Sequence, residues 1–242
     1  MIARALLGAG LAAHLVPSVA AIDPLRRALL PGLCGVSDRE HVALTFDDGP
    51  DPESTPQFLD VLAAHGVHAT FFVLGSQLAA HPELGRRIVD GGHELAVHGW
   101  SHRPLLLRGP RGSAVDLRRA RDLVASVSGS PPRFWRPPHG IPTGASLLAA
   151  RRLGLRPVLW TADGRDWRAA ANGDSVAREI VPRLEPGAVV LLHDSDVTSA
   201  PGAWRSALAA LPRLIETCAE RQLSVGPLRE HWLPERVAAG AV

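Results

Sequence analysis

The stretch His41-Val42-Ala43-Leu44-Thr45-Phe46-Asp47-Asp48-Gly49-Pro50 decides the fold of this chain. Its first six residues form a strand-like, mostly apolar run, and the two aspartates and Gly49-Pro50 then turn the chain. A helical pattern follows from Ser54 to His65, with apolar residues on one face. A strand that leads through a polar turn into an amphipathic helix is the repeating unit of a parallel α/β fold.

This unit recurs along the chain, although no internal sequence repeat is apparent. No GxGxxG motif follows the first strand, so a dinucleotide-binding unit is not indicated. We therefore expect about seven parallel strands alternating with helices. The pattern predicts further strands at 68–74, 94–97, 133–135, 157–161, 188–192 and 223–225, and further helices at 82–90, 115–127, 145–153, 175–184 and 203–221.

The composition excludes several classes of protein. The 242 residues suit one domain, and 46% hydrophobic with 21% charged residues excludes wholesale disorder and a polytopic membrane protein. All 26 basic residues are arginines, so lysine chemistry is excluded, and their scatter predicts no nucleic-acid site. Two cysteines exclude a multi-cysteine metal site, and whether Cys34 pairs with Cys218 stays open.

The N-terminal 36 residues form a separate segment in the sequence. Residues 5–22 are mostly apolar, follow one arginine and contain Ser18-Val19-Ala20, which has the form of a signal-peptide cleavage site. Arg26 and Arg27 among leucines suggest a membrane-surface segment. We expect a signal-like or membrane-associated segment at 1–36 and one further domain at 37–242. This places the protein outside the cytoplasm or at a membrane; the alternative is a cytoplasmic protein whose N-terminal helix packs on the domain.

Several polar side chains that could carry chemistry follow the predicted strands. Asp47 and Asp48 are adjacent carboxylates, which repel each other unless a cation lies near them. His98 and His102 are four residues apart, a spacing that on one helical turn would point both rings the same way. Together with Asp48, these histidines make a set of two histidines and one carboxylate that suits a divalent metal.

More ionisable residues follow the remaining strands. They are Arg136, Asp163, Asp166, His193 and Asp194, and each alone could be an ion pair, a capping residue or a buried core histidine. The carboxyl ends of parallel strands in a (β/α) barrel meet at one mouth, where active sites lie. We therefore predict a barrel with one site at its top. Five tryptophans in or beside these segments could stack on sugars or wall an apolar group: Trp100, Trp135, Trp160, Trp167 and Trp204.

Five ordered motifs resemble those of the polysaccharide deacetylase family, the NodB homology domain also called carbohydrate esterase family 4. The resemblance covers about residues 42–228, and the order of the motifs makes it specific. They are Thr45-Phe46-Asp47-Asp48-Gly49-Pro50, His98-Gly99-Trp100-Ser101-His102, Arg136-Pro137-Pro138-His139-Gly140, Asp163-Gly164-Arg165-Asp166-Trp167 and Leu191-Leu192-His193-Asp194.

The resemblance implies a distorted (β/α) barrel, often of seven strands, and metal-dependent removal of acetyl groups from sugars. It assigns Asp48, His98 and His102 as metal ligands, with Zn²⁺ favoured and Co²⁺, Ni²⁺ or Mn²⁺ left open. The other implied roles are as follows: Asp47 is the general base, tethered by Arg136; His193 is the general acid, tuned by Asp166; Trp167 and Leu191 wall the acetyl pocket; and the main-chain N–H of His139 joins the oxyanion hole.

The chain departs from the family pattern at two positions. Gly99 replaces the usual Ser or Thr after the first metal histidine, and His139 replaces the usual Tyr. Neither change removes a metal ligand or a proton-transfer group, so we expect an active enzyme on an acetylated polysaccharide or oligosaccharide of the chitin, peptidoglycan or xylan type. Three alternatives remain: an amidohydrolase of a small non-sugar amide, a non-heme iron oxygenase and a non-catalytic sugar-binding domain. The oligomeric state stays unknown.

Overall fold

Eight parallel strands form one curled sheet in the computed structural model, which describes residues 12–231. The strand order is β5-β4-β3-β2-β1-β7-β6, and β8 pairs with the first residues of β1. The strands are β1 (His41–Asp47), β2 (Thr70–Val73), β3 (Glu94–Val97), β4 (Phe134–Trp135), β5 (Arg156–Pro157), β6 (Ala162–Asp163), β7 (Val189–His193) and β8 (Ser224–Gly226). The predicted parallel barrel-like architecture is confirmed.

Helices follow most strands and cover the outside of the sheet. Proline at the first or second position begins several of them, and capping boxes on Thr143 and Asn172 begin two others. Pro212 lies inside the last long helix. The helices are α1 (Asp23–Leu29), α2 (Thr55–Ala64), α3 (Gly75–Ala80), α4 (Pro82–Asp90), α5 (Pro110–Ser128), α6 (Gly144–Arg152), α7 (Gly173–Ile180), α8 (Trp204–Glu220) and α9 (Leu228–His231).

Strand β1 is buried along its whole length and separates two apolar layers. Its side chains alternate, as in any strand. Val42, Leu44 and Phe46 pack in the large cluster under the helices. Ala43 belongs to the smaller inner cluster with Phe72, Phe134, Val158 and Val189. Asp47 is in phase with Ala43, so this alternation directs its carboxylate into the barrel.

The strand predicted at 157–161 is wrong. The chain forms two short strands instead: β5 pairs with β4 at one edge of the sheet, and β6 pairs with β7 at the other. Residues 158–161 cross between these edges without joining a ladder, although the Val158 N–H donates to Trp135 O and the Thr161 N–H donates to Val189 O. The barrel is therefore closed by an irregular crossing. Two backbone carbonyls of this crossing accept hydrogen bonds from Arg136.

The described part of the N-terminal segment packs against this crossing. The Leu159 N–H donates to Leu33 O over 2.7 Å, and Arg27 Nη2 donates to Thr161 O over 2.5 Å. Arg26 is only 2% exposed, and its guanidinium lies over the Trp160 ring at 4.9 Å. These residues therefore contact the domain, and the signal-like or membrane-associated character of the segment stays a prediction. The first half of its apolar stretch, up to Leu11, lies outside the described residues.

Two smaller points concern the rest of the described chain. Cys34 and Cys218 are both buried free thiols, so the pairing left open by the sequence does not occur. None of the helices in residues 12–231 combines the length and apolar character needed to cross a membrane.

Candidate active site

The turn after β1 presents two aspartates in opposite surroundings, and a third one holds this turn in place. Asp194 Oδ1 accepts from the Gly49 N–H over 3.2 Å, and Asp194 Oδ2 accepts from the Thr55 hydroxyl over 2.6 Å. Asp48 has a φ of 79°, in the left-handed region. The turn is therefore pinned to the loop after β7, and the Asp47 and Asp48 side chains diverge.

Asp48 and the two motif histidines converge on one point. Asp48 Oδ1 lies 3.4 Å from His98 Nε2 and 3.6 Å from His102 Nε2. Asp48 is fully buried, yet this oxygen has no hydrogen-bond partner, whereas Oδ2 accepts from the Thr198 hydroxyl. A buried carboxylate oxygen without a partner is costly unless something else binds it. Within residues 12–231 this is the one cluster of three potential metal ligands.

The hydrogen bond of His98 fixes which of its nitrogens faces Asp48. His98 Nδ1 lies 2.9 Å from the carbonyl oxygen of Arg136. A carbonyl can only accept, so Nδ1 carries the proton and Nε2 turns its lone pair toward Asp48. Metal-bound histidines are usually oriented in this way. Burial lowers the pKa of His102 to about 4, so this ring is neutral as well.

The loop that carries both histidines is not helical, so the helical-turn reason for their convergence was wrong. Residues 98–102 form a bend after β3. Gly99 has a φ of +104°, a backbone conformation that residues with a side chain rarely adopt. Asp116 of α5, 5% exposed, accepts from the Trp100 N–H over 2.8 Å and pairs with Arg108 at 2.9 Å. Glycine at position 99 therefore suits the backbone, and Asp116 supplies the anchor of the loop.

Asp47 is held by an arginine whose donors point at fixed acceptors. Arg136 is fully buried, and its Nη1 donates to Asp47 Oδ1 over 2.6 Å and to the Thr45 hydroxyl over 2.9 Å. Its Nε and Nη2 donate to the carbonyls of Val158 and Leu159 in the irregular crossing. Burial raises the pKa of Asp47 to about 6, although Arg136 works in the opposite direction. The predicted tether between Arg136 and Asp47 is thus present as a contact.

His193 is positioned by both oxygens of one buried carboxylate. Asp166 Oδ2 accepts from the His193 N–H over 2.7 Å, and Oδ1 lies 2.9 Å from His193 Nδ1. Burial is the largest single effect and would lower the pKa of His193, but the charge and hydrogen bond of Asp166, together with the charges of Asp48 and Asp47, raise it to about 10. A protonated ring can therefore turn its Nε2–H away from Asp166. His193 is also the register partner of Asp47 on the neighbouring strand.

A cavity of about 360 Å³ connects these groups. Two of the five tryptophans, Trp160 and Trp167, line it, whereas Trp135 and Trp204 are core residues. The predicted wall residues Trp167, 43% exposed, and Leu191, 4% exposed, are both present. The full lining is Ala21, Asp47, His98, His102, His139, Gly140, Trp160, Asp163, Trp167, Leu191, His193 and Thr198.

His139 lies at the edge of the metal-ligand cluster. It has a φ of 59°, and its ring meets that of His102 edge to face at a centroid distance of 4.2 Å. Its side chain therefore contacts a ligand ring and lines the cavity. The backbone role that the resemblance implies for this residue stays a prediction.

Sequence reasoning missed three residues that hold the site. Thr198 binds the second oxygen of Asp48, Asp116 anchors the histidine loop, and Ala21 brings the N-terminal segment to the cavity wall. None of them lies in the five motifs. A charged residue at helical spacing from Ala120, on the face that α5 buries, was a weak signal for Asp116, and nothing marked the other two.

The arrangement offers each group that hydrolysis of an amide or ester needs. Three neutral or anionic ligand atoms converge on one point, a carboxylate lies beside them, and a cationic histidine lies on the neighbouring strand. Such a set can hold a dication, remove a proton from water and return a proton to a leaving group.

The sequence profile described as polysaccharide deacetylase matches residues 35–158. A chitooligosaccharide deacetylase from Bradyrhizobium sp. (strain ANU 289) is 42% identical over 180 residues, which cover 74% of this chain and 80% of that protein. A peptidoglycan-N-acetylglucosamine deacetylase from Listeria monocytogenes is 33% identical over 171 residues, covering 71% of this chain and 36% of that one.

A solved structure agrees with these sequence matches. A family 4 carbohydrate esterase from Streptomyces lividans, in complex with acetate, superimposes with a TM-score of 0.69 at 33% identity. The superposition covers 77% of this chain and 91% of the other. The similarity therefore extends over nearly the whole of that chain.

Proposed function

This chain belongs to the polysaccharide deacetylase family, and we propose that it removes N-acetyl groups from amino sugars of chitooligosaccharide- or peptidoglycan-type glycans, with one zinc ion held by Asp48, His98 and His102. The substrate class follows from the named activities of its relatives. The observation that carries the proposal is the unpartnered buried oxygen of Asp48, which faces two histidine nitrogens.

The ligand atoms fit a divalent metal. The carbonyl of Arg136 fixes the proton of His98 on Nδ1, and the Thr198 hydroxyl occupies Asp48 Oδ2. One carboxylate oxygen and one imidazole nitrogen are thereby left for the cation, and His102 adds a second nitrogen. Two histidines and one carboxylate suit zinc with an open position. When bound there, the ion would polarise the acetyl carbonyl and lower the pKa of water.

Asp47 acts as the general base in this mechanism. Its Oδ2 lies 3.7 Å from His98 Nε2, close to the ligand cluster, whereas its Oδ1 is occupied by Arg136. The free oxygen accepts a proton from the attacking water. Arg136 fixes the direction of the carboxylate and keeps it ionised against the effect of burial.

His193 acts as the general acid. Asp166 binds Nδ1, so the proton on Nε2 is available for the nitrogen of the departing amino sugar. The positive charge of His193 also favours the negative charge that develops on the acetyl oxygen. Leu191 and Trp167 surround the acetyl methyl, and the N–H of His139 donates to the acetyl oxygen.

Two of the alternative functions agree less well with the fold and the cavity. A non-heme iron oxygenase with the same ligand triad would be expected in a double-stranded β fold, whereas the strands described here are all parallel and alternate with helices. A non-catalytic sugar-binding domain would be expected to lack Asp47 or His193, and both line the cavity.

Acetate release after metal removal tests the proposal. The protein is stripped with a chelator, assayed on chitooligosaccharides, peptidoglycan strands and acetylated xylan, and then supplied with zinc, cobalt, nickel or manganese. We expect no acetate without metal, recovery with zinc and faster release from the N-acetylated substrates. Full activity of protein shown by elemental analysis to be metal-free would contradict the metal role, and release from xylan alone would contradict the substrate class.

We also propose that the protein works outside the cytoplasm or at a membrane. The apolar N-terminal residues and the cell-wall substrate of one relative support this location. Cell fractionation followed by mass spectrometry is the test. Protein that is cleaved near Ala20 or that sediments with membranes supports the proposal, whereas intact Met1 in the cytoplasmic fraction would overturn it.

A further inference from the structure

We infer that an arginine-lined cavity beside the catalytic one binds a carboxylate of the glycan substrate, and that the enzyme therefore prefers acidic, peptidoglycan-like strands to neutral ones; this inference rests on the proposed function. The cavity, here called the arginine cavity, has a volume of about 640 Å³. It is lined by Gly164, Arg165, Arg168, Ala170, Ala171, Ser175, Arg178, Glu179, Pro182 and Arg183.

The charges of the arginine cavity do not cancel. Four arginines face one glutamate, and Glu179 lies 3.5 Å from Arg183 and 3.9 Å from Arg165. No carboxylate lies within 4.0 Å of Arg168 or Arg178 among the residues that the structure describes. These two guanidinium groups are exposed and available. A cluster of positive charges attracts negatively charged ligands. Guanidinium groups bind carboxylates through paired hydrogen bonds.

The loop after β6 joins the arginine cavity to the catalytic one. Asp163 and Trp167 line the catalytic cavity, whereas Arg165 and Arg168 of the same loop line the arginine cavity. The Arg168 guanidinium lies over the Trp167 ring at 5.1 Å. A third, smaller cavity contains Trp160, Asp163, Arg165 and Arg183 and bridges the two. Because the cavities share these lining residues, we infer that a glycan whose acetamido group lies at His193 extends toward these arginines.

The chemistry of the substrates makes this contact selective. Chitooligosaccharides are neutral before deacetylation, whereas peptidoglycan strands carry carboxylates, either those of the stem peptide or, where the peptide is absent, the free lactyl carboxylate of muramic acid. Only the second kind can pair with Arg168 and Arg178. Each exposed ion pair contributes about 0.2–1 kcal/mol, which corresponds to an about 1.4- to 5-fold effect on binding.

Charge reversal at Arg178 tests the inference. kcat/KM is measured on peptidoglycan glycan strands, on the same strands after carbodiimide amidation of their carboxylates and on neutral chitopentaose. We expect wild-type enzyme to prefer the unmodified strands. Arg178→Glu should lose about 5- to 20-fold on these strands and less than about 2-fold on chitopentaose, and Arg178→Gln should fall between. Arg118→Glu on α5, another exposed arginine, is the control and should change neither.

The results separate this inference from the proposed function. Equal rates of wild-type enzyme on native and amidated strands, or an Arg178→Glu variant that keeps the preference or slows all substrates equally, would overturn the inference while acetate release stands. If no substrate releases acetate, the proposed function fails. In that case, calorimetry with native and amidated strands decides the inference. Tighter binding of the native strands by wild-type protein, lost in Arg178→Glu, would support it. Equal binding of both kinds of strand would overturn it.

Discussion

The two ends of β1 both bury histidines, but they satisfy them in different ways. At the amino end, His41 Nδ1 and His231 Nδ1 lie 2.8 Å apart, and His231 Nε2 lies 3.1 Å from Gly187 O. The carbonyl requires a proton on His231 Nε2, so one further proton, on His41, joins the two rings. At the carboxyl end, His98 turns a lone pair toward Asp48 Oδ1, which has no hydrogen-bond partner, and His102 Nε2 lies 3.6 Å from the same oxygen.

This difference separates a structural histidine pair from a ligand site. The amino-end pair completes the hydrogen bond between its two rings with a proton of its own and leaves only His41 Nε2 without a hydrogen-bond partner, so it packs α9 against β1 with no anionic oxygen left unsatisfied between the rings. The carboxyl-end cluster brings lone pairs together and leaves the carboxylate oxygen unsatisfied, an arrangement that a cation stabilises. The predictions below follow from this contrast, from the largest expected effect to the smallest.

His102→Ala should abolish activity because it removes one of the three proposed metal ligands. We expect bound zinc to fall well below one ion per chain and acetate release to fall to background, while the circular dichroism spectrum is retained. Metal content is measured by plasma emission spectroscopy. His65→Ala on the outer surface is the matched histidine control, and a His102→Ala enzyme with full zinc and full turnover would show that the cluster is merely packed.

Asp166→Asn should lower turnover by about 10²- to 10⁴-fold, the range for one proton-transfer group. Asp166 contributes most of the charge that, with Asp48 and Asp47, raises the pKa of His193 to about 10 against the effect of burial, so the protonated acid persists until the pH rises past this value. Without the negative charge this pKa falls, and the basic limb of the pH–rate profile should move to lower pH. Metal content should not change. An unmoved basic limb would exclude His193 as the group that this limb reports.

Asp116→Asn should weaken metal binding without removing a ligand. Asp116 anchors the Trp100 N–H and pairs with Arg108, so its loss loosens the loop between His98 and His102. Residues that orient metal ligands typically contribute about 10- to 100-fold in affinity. Titration with zinc should show this loss, and excess zinc should restore turnover. Asp122→Asn, on the exposed side of the same helix, is the control; equal zinc affinity of both variants would contradict the anchoring role.

His41→Phe should change stability and leave catalysis intact. Burial lowers the pKa of His41 to about 4, so the unfolded chain takes up a proton that the folded chain excludes. The resulting stability is present above about pH 6.5 and is lost as the pH falls through about 4. The variant should lose about 1–3 kcal/mol of unfolding free energy at pH 7 and show a flatter pH dependence below 6.5. Reduced zinc content in this variant would contradict the separation of the two ends.

The sequence predicted the elements well because their boundaries depend on local signals. The helix Pro82–Asp90 and the strand Glu94–Val97 agree with the structure residue for residue, since a proline, a pair of glycines and an apolar run mark them. The strand predicted at 157–161 failed for a tertiary reason. Its residues close the barrel, and two of their carbonyl oxygens accept hydrogen bonds from Arg136. No local sequence pattern reveals these contacts.

The candidate site shows the same division. The five motifs contain the proposed ligands and proton-transfer residues, and the parallel topology explains why they meet. Strand register and long-range contacts cannot be predicted from local sequence patterns. Asp47 lies opposite His193 on the neighbouring strand, and the Thr198 hydroxyl donates a hydrogen bond to Asp48, 150 residues away. For that reason the roles of two adjacent aspartates could only be assigned through the resemblance, whereas their contacts now distinguish them.

The metal content of Asp47→Asn and Asp48→Asn, measured in parallel with turnover, tests the account most directly. Asp47 is bound to Arg136 and Asp48 faces the histidines. We therefore predict that Asp47→Asn keeps one zinc per chain while turnover falls by about 10²- to 10⁴-fold. Asp48→Asn should lose zinc and regain part of its activity with excess metal. Equal loss of zinc in both variants, or wild-type turnover of Asp47→Asn, would contradict the assignment of one ligand and one base.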